Sequence, residues 1–327
     1  MVSLLEGRTG LWLRAGGSLA ALGFLFWALP WDEVVSAARR VSLAVWGGVL
    51  AGFLAGHLLG AFKWTFLLRR MGVAVPWATG AACYALGLFA NLCLPGIVGG
   101  DVVRAAALTR RVGRFEAVAL AGVGDRLLDI LALGLALAAG VVAAGVRQGA
   151  SARGFLALLA VFVSAGLVLA ITALRRPLDR WPARWRRTIG RARVAARNLT
   201  RRPGAVGISL ACALAIQSSF VLLNRALGAD LGVKLPLAAW FVAWPLAKLA
   251  GLLPISLGGL GVRDAAFGTL LAGFGAAAAT GVVVSLVWQS ILIGGGLLAG
   301  LAWWLASGSR PSARLLVEAE LAGGPHD

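Results

Sequence analysis

Long apolar stretches recur along the chain, each close to the roughly 20 residues that a helix needs to cross a bilayer. We predict six membrane-spanning helices from the uninterrupted ones, which cover residues 11–29, 43–62, 117–146, 154–174, 204–227 and 281–306. Two further apolar regions, 77–110 and 235–276, are broken midway by proline, glycine and charge. The pattern therefore predicts an all-α polytopic membrane protein with two interrupted segments.

The two interrupted segments repeat one another at a constant offset of 159 residues. The coinciding residues include Pro95 with Pro254, Gly99 with Gly258, Gly100 with Gly259 and Arg104 with Arg263. Proline lacks an amide hydrogen and its ring clashes with the preceding helical turn, so we predict a hinge at each proline. Glycine accepts the unusual backbone dihedrals of a tight tip. We interpret the segments as an internal repeat.

Loop charge indicates how these segments meet the membrane. If both crossed it fully, the 175–202 loop, with eleven Arg and one Asp, would face away from the basic 63–72 stretch. That contradicts the rule that short basic loops stay in the cytoplasm. We therefore predict two re-entrant helical hairpins that enter from opposite sides, an inverted repeat of the kind that forms binding sites near the midplane. We therefore expect a multi-pass protein of the cell inner (plasma) membrane with both termini in the cytoplasm.

Composition supports the membrane assignment. The chain is 60% hydrophobic and 13% charged, with a mean hydropathy of +0.86, too apolar for a soluble fold. Its net charge is +18, but the basic residues lie between apolar stretches, so we expect anionic lipid rather than nucleic acid as a partner. Residues 178–202 predict an amphipathic basic helix on the cytoplasmic face, which either anchors the protein or recruits anionic lipid.

The sequence argues against most enzyme classes. It has two His and three Cys without metal-site spacing, and it lacks a phosphate-binding P-loop. We therefore expect no metal, no cofactor and a transporter-like function. We also expect a single lipid-translocation domain over residues 1–306, followed by a cytoplasmic tail at 307–327.

Ionisable residues inside apolar segments are costly and often mark a site. We nominate Arg104 and Arg263 as phosphate contacts because a guanidinium binds phosphate in a bidentate manner; alternatively, each pairs with a nearby carboxylate, Asp101 or Asp264. Further candidates for head-group binding are Asn91, Gly99, Gly100, Gly258, Gly259, Arg126 and Lys248. Asn91 either closes a broken helix end or contacts the head group.

The acidic candidates are Asp101, Asp125, Asp129 and Asp264, which either couple an ion or proton or pair with the arginines. Asp125 and Asp129 share one helical face by their spacing of four residues. Lys63 is expected to snorkel to the membrane interface, and Lys248 either does the same or contacts the head group.

These residues resemble a known family. The segments Asn91-Leu92-Cys93-Leu94-Pro95-Gly96, Gly99-Gly100-Asp101 with Arg104, Gly124-Asp125-Arg126 with Asp129, and Pro254 to Asp264 are similar to the lysylphosphatidylglycerol synthase transmembrane, or flippase-like, family. The resemblance implies movement of lipid head groups, such as aminoacylated phosphatidylglycerol or polyprenyl-phosphate-linked lipids. This sequence differs from the family pattern at Asp125 and Asp264, where the family usually has Glu. Alternative functions are an enzyme acting on lipid phosphates and a scaffold for a separately encoded lipid-modifying enzyme.

Overall fold

The computed structural model describes residues 41–93, 99–145, 172, 183–251 and 261–306. Within them lie nine α-helices, and the prediction of an all-helical protein is confirmed there. In chain order they are α1 (Leu43–Arg70), α2 (Trp77–Cys93), α3 (Gly99–Val112), α4 (Phe115–Ala143), α5 (Ala183–Thr200), α6 (Pro203–Asp230), α7 (Leu237–Ala250), α8 (Val262–Ala272) and α9 (Ala278–Ala306). Outside the described residues lie the predicted span 11–29, the predicted span 154–174 except for residue 172, the tail 307–327, Pro95, Pro254, Gly258 and Gly259.

Four helices, α1, α4, α6 and α9, are long and apolar enough to cross a membrane. They occupy four of the predicted spans, but α1 continues past the predicted end at residue 62 as far as Arg70. Lys63 therefore lies inside this helix, and its side chain is only 1% exposed. The expectation that Lys63 snorkels to the interface is wrong, because carboxylates of α4 hold its ammonium in the interior.

The internal repeat is longer than the two interrupted segments. α1 and α6 end in the same turn, in which Gly72 and Gly232 take positive φ values of 90° and 82°. The next amide, of Val73 or Val233, donates five residues back, to the carbonyl of Leu68 or Gly228 at 3.0 and 2.8 Å. This is the hydrogen-bond pattern of a Schellman cap. Each cap leads into a proline before the next helix, Pro76 or Pro236, so the repeated unit is α1–α4 and α6–α9.

The two units run in opposite directions. The backbone N–H of Ser42, before α1, donates to the carboxylate of Asp230 at the end of α6 at 2.7 Å. Midway along both helices, Gly56 of α1 lies against the ring of Phe220 of α6. Equivalent helices of the two units therefore pack antiparallel, which is the relation expected of an inverted repeat.

Basic turns gather at one end of the bundle. Arg114, before α4, donates from Nη1 to the carbonyl of Gly72, after α1, at 2.7 Å. The basic helix α5 lies at this end, where Asn198 Nδ2 donates to the carbonyl of Met71 at 3.4 Å. We call this the basic end of the bundle. α5 falls within the 178–202 range predicted for an amphipathic basic helix.

The first interrupted segment folds as the packed pair α2 and α3. At the start of α2, Trp77 stacks on Phe62 of α1 with ring centroids 5.1 Å apart. Towards the end of α3, Leu108 packs in one buried cluster with Trp64. Both outer ends of the pair therefore contact the last three turns of α1, at the basic end.

The second interrupted segment folds as the packed pair α7 and α8. Near the start of α7, Phe241 lies against Gly140 of α4. Just after α8, Phe274 packs against the cluster that contains Val141. Both outer ends contact the C-terminal part of α4, which is the end of the bundle opposite the basic turns.

Aromatic rings fill the contact between the two units. Phe53 of α1, Phe220 of α6 and Trp288 of α9 have ring centroids 5.6 to 5.7 Å apart. Trp244 of α7 extends the cluster, with its ring centroid 5.0 Å from that of Trp288. Offset and edge-to-face packing of this kind is favourable beyond the buried area alone. The cluster therefore joins helices of both repeated units.

The close approach of α2 and α3 gives a test of this packing. A Cβ at Gly100 would lie 2.1 Å from the carbonyl oxygen of Gly87, which is backbone and cannot rotate away. We expect Gly100→Ala to destabilise the protein by about 2 kcal/mol, measured as a lower melting temperature in detergent. Gly122→Ala in α4 is the control, because a Cβ there meets no atom of the described residues within 4 Å. Equal melting temperatures for the two variants would contradict the described approach.

Candidate functional site

Charged side chains from α1, α3 and α4 form one connected network. Asp125 is its centre: Oδ1 lies 3.0 Å from Lys63 Nζ and Oδ2 accepts from Arg104 Nη2 at 2.9 Å. Asp129 pairs with the same ammonium of Lys63. Arg104 Nη2 also lies 3.1 Å from Asp101 Oδ1. The network contains three cations and three carboxylates in contact, including the pair of Asp101 with Arg126.

Side-chain exposure rises along this network from Lys63 to Arg126. Lys63, Asp125 and Arg104 are buried, whereas the Arg126 side chain is 45% exposed and forms the mouth. A charge in a low-dielectric interior is tolerated only when it is paired and hydrogen-bonded. The alternating order of cations and carboxylates therefore makes the buried network possible.

Aromatic faces hold the Arg104 guanidinium in place. Its central carbon lies 4.8 Å from the ring centroid of Trp64 and 5.1 Å from that of Tyr84. Arginine stacks on such faces while its N–H groups remain free to donate in the guanidinium plane. Arg104 is thus oriented by two rings and by carboxylates of both α3 and α4.

Lys248 of α7 brings a cation from the second unit. Its Nζ donates to Gln217 Oε1 of α6 at 2.9 Å and lies 5.7 Å from the ring centroid of Phe220. The network carboxylates are bonded elsewhere, and within the described parts of the chain Lys248 has no carboxylate partner. A neutral amide leaves the charge of the ammonium uncompensated, so the site carries a net positive charge.

These groups surround one cavity, with about 620 Å³ of space free of protein atoms. It is lined by six helices, α1 to α4, α6 and α7, so both repeated units contribute. The lining residues are His57, Gly60, Lys63, Tyr84, Gly87, Leu88, Asn91, Asp101, Arg104, Asp125, Arg126, Asp129, Ile216, Gln217, Phe220 and Lys248. The structure therefore brings together most of the described charged residues nominated from the sequence.

Three polar lining residues were missed by the sequence prediction. His57 and Tyr84 contact one another in the cavity lining, where His57 Nδ1 lies 3.2 Å from Tyr84 Oη. The third residue, Gln217, accepts the hydrogen bond from Lys248. Each was visible as a polar group inside an apolar stretch, and Tyr84 is the only tyrosine of the chain. Only the fold shows that the three side chains converge.

Asn91 joins the two arms of the first interrupted segment. Its Oδ1 accepts a hydrogen bond from the backbone N–H of Gly100, in the first turn of α3, at 2.9 Å. The first N–H groups of a helix have no partner within the helix, so this bond satisfies one of them. Two roles were expected for Asn91, and this hydrogen bond corresponds to the first, closing the end of a broken helix. Asn91 also lines the cavity.

Arg263 lies in a second polar cluster and is not among the residues that line the cavity. Its Nη2 donates to Asp264 Oδ1 and to Gln289 Oε1, both at 2.9 Å. Asp264 is fully buried and also accepts from Ser285 Oγ at 2.5 Å and from the backbone N–H of Gly261 at 3.0 Å. The cluster ties α8 to α9, and the contact of Arg263 with a head group stays a prediction.

Within the described residues, the fold and the cavity define a polytopic helical membrane protein with an internal repeat and a buried ionic site between the repeated units. Residues 11–305 match the family model for the lysylphosphatidylglycerol synthase transmembrane region, and the chain belongs to this family. A search of curated proteins finds no match. The family membership establishes a membrane protein with a lipid-related role.

Proposed function

We propose that the protein moves a lipid with an anionic head group across the bacterial inner membrane, with the head group held in the cavity. The observation that carries the proposal is Lys248, the cavity-lining ammonium whose described partner is a neutral amide. A head-group phosphate would compensate this charge and also reach Arg104, whose guanidinium plane suits two parallel hydrogen bonds. The lipid classes that fit are anionic or aminoacylated phospholipids and polyprenyl-phosphate-linked lipids.

The position of the cavity supports movement rather than a fixed binding site. Residues of both antiparallel units line it, so a rearrangement of one unit against the other opens it alternately to either side. The acyl chains remain in hydrocarbon while the site replaces the hydration of the head group. Replacing water by charged side chains in this way lowers the free-energy cost of moving a charged head group through the low-dielectric interior of the membrane.

We further propose that the pairs α2/α3 and α7/α8 are re-entrant hairpins in a protein of six spans. In support, both outer ends of α2/α3 lie at the basic end, and those of α7/α8 lie at the opposite end. Assigning the basic end to the cytoplasm follows from the distribution of arginine. Under this topology both termini are cytoplasmic.

The carboxylates fit a role as temporary partners of the cations. Asp101 contacts both Arg104 and Arg126 at the mouth, in the place where an incoming phosphate would bind. We propose that the head group displaces Asp101 from these guanidiniums. Translocation is then either downhill or coupled to an ion through Asp101, Asp125 or Asp129, and a separately encoded lipid-modifying enzyme is a candidate partner.

Replacing Lys248 tests the proposal directly. We expect Lys248→Met to reduce the exchange of fluorescent phosphatidylglycerol between leaflets of reconstituted vesicles by about tenfold or more, since one phosphate contact of about 1.5–3 kcal/mol is lost. The melting temperature should hardly change, because no carboxylate is left unpaired. Lys234→Met is the matched control, since Lys234 is exposed in the turn between α6 and α7.

The outcomes separate the candidate functions. Exchange by the Lys248→Met protein at the rate of the Lys234→Met protein would overturn the head-group site. Chemical conversion of the labelled lipid by the unaltered protein would instead identify an enzyme, and its detection requires only mass analysis of the same vesicles.

A further inference from the structure

An aromatic stack lies on the outer surface of α1 and α2, at the basic end. Phe62 stands in the middle, with its ring centroid 5.9 Å from Phe66 and 5.1 Å from Trp77. The interplanar angles are 19° and 11°, so the three rings are nearly parallel. Phe62 and Trp77 are both more than 40% exposed, whereas Phe66 is buried, so two of the three rings reach the outer surface and the third lies in the core.

A guanidinium caps each end of the stack. The central carbon of Arg69 lies 4.8 Å from the Trp77 ring centroid, and that of Arg70 lies 4.8 Å from the Phe66 ring centroid. Both arginines are exposed, and neither has a carboxylate partner in the described part of the chain. Stacking orients the guanidinium planes and leaves their N–H groups free for an anion.

An apolar groove runs away from these arginines between α1 and α2. It has about 430 Å³ of space free of protein atoms and is open on one side; its lining residues are Leu58, Ala61, Phe62, Thr65, Trp77 and Ala81. Two lining residues carry a polar group, the hydroxyl of Thr65 and the indole N–H of Trp77, and the other four side chains are apolar. Thr65 Oγ1 is buried and has no hydrogen-bond partner among the described residues. An apolar groove suits a hydrocarbon chain.

We propose that this groove is a second lipid site, which holds one acyl chain of an anionic phospholipid while its phosphate contacts Arg69 and Arg70. The charge complementarity and the order of the features favour this occupant: two guanidiniums stand at the membrane-surface end and an apolar channel follows towards the membrane interior. Tryptophan and arginine both favour the interfacial zone. The groove uses a different face of α1 from the cavity, where Gly60 and Lys63 point, so the site is independent of the translocation proposal.

Lipid retention by the purified full-length protein tests the charge and the groove separately. Phosphatidylglycerol is titrated into the detergent-solubilised protein, and bound lipids are counted by native mass spectrometry. We expect Arg69→Gln with Arg70→Gln to weaken one bound phosphatidylglycerol about tenfold, as two interfacial cations are lost. We expect Ala81→Phe, which fills the groove and keeps both charges, to remove the same lipid. Arg201→Gln with Arg202→Gln is the control, because these arginines are also exposed but line neither the cavity nor the groove.

The effect should add to that of Lys248→Met, because the two sites hold different lipid molecules. Unchanged retention in either groove variant overturns the proposal. In particular, a loss with the arginine variant alone would mean surface attraction without a groove site. Equal weakening by the Arg201/Arg202 control would overturn it in the same way.

Photocrosslinking identifies what occupies the groove. A benzoylphenylalanine at position 58, where Leu58 is 68% exposed, is irradiated in vesicles of phosphatidylcholine and phosphatidylglycerol. We expect an adduct with the mass of phosphatidylglycerol that disappears with Arg69→Gln and Arg70→Gln. A crosslinked dimer, a crosslink to residues 1–40 of the same chain, or adducts in proportion to bulk lipid would each overturn the proposal.

Discussion

Replacement of Asp125 by alanine is expected to destabilise the protein by about 3–5 kcal/mol and to abolish lipid exchange. Asp125 contacts Lys63 and Arg104 at the same time, at 3.0 and 2.9 Å. Among the described residues, its removal leaves the two buried cations with only Asp129 and Asp101 as carboxylate partners. Breaking a buried ion pair in this way costs several kcal/mol. The loss should be visible as a melting temperature that is lower by about 10 °C in detergent.

Two further variants isolate the cause. Glu116→Ala removes a carboxylate whose partner, Arg191, is 66% exposed, at 3.2 Å, and such pairs contribute about 1 kcal/mol or less. Asp125→Asn combined with Lys63→Met restores neutrality in the network and should recover part of the lost stability. A melting temperature for Asp125→Ala equal to that of Glu116→Ala would show that the described network does not stabilise the fold.

Replacement of Asp264 by alanine is expected to have a loss of similar size, about 3–5 kcal/mol, for a different reason. Its carboxylate is fully buried and accepts from Arg263, Ser285 and the backbone of Gly261. Without it the first turn of α8 loses its cap and the Arg263 guanidinium keeps only Gln289 as a described partner. Ser285→Ala, which removes one of these hydrogen bonds, should cost only about 1 kcal/mol.

The same cluster decides between the two roles considered for Arg263. If Arg263 positions α8 without touching the lipid, Arg263→Met combined with Asp264→Asn should fold and retain lipid exchange, because the charge is removed together with its partner. We expect this result, since Arg263 does not line the cavity. A folded double variant without exchange would instead assign the head-group contact to Arg263. Melting curves distinguish that outcome from simple unfolding.

The partners of Arg104 and of Arg263 could be predicted from the sequence only in part. For Arg104, pairing with Asp101 three residues earlier could be read from helical spacing, and the structure contains that pair. The bond to Asp125 joins different helices and could be named only as one alternative. For Arg263, the adjacent Asp264 was visible, but Gln289 lies 26 residues away on α9 and carried no local signal.

The sequence by itself determined that this is a helical membrane protein, where four of its long apolar helices lie and that two interrupted segments repeat. These properties follow from local patterns, because the bilayer sets the length of a span and proline acts on its own turn. Only the tertiary structure decided that Lys63 is buried between Asp125 and Asp129, and that Lys248, rather than Arg263, lines the cavity with Arg104. The physical reason is that contacts between helices depend on the rotation and crossing of each helix, which the packing of the whole bundle determines.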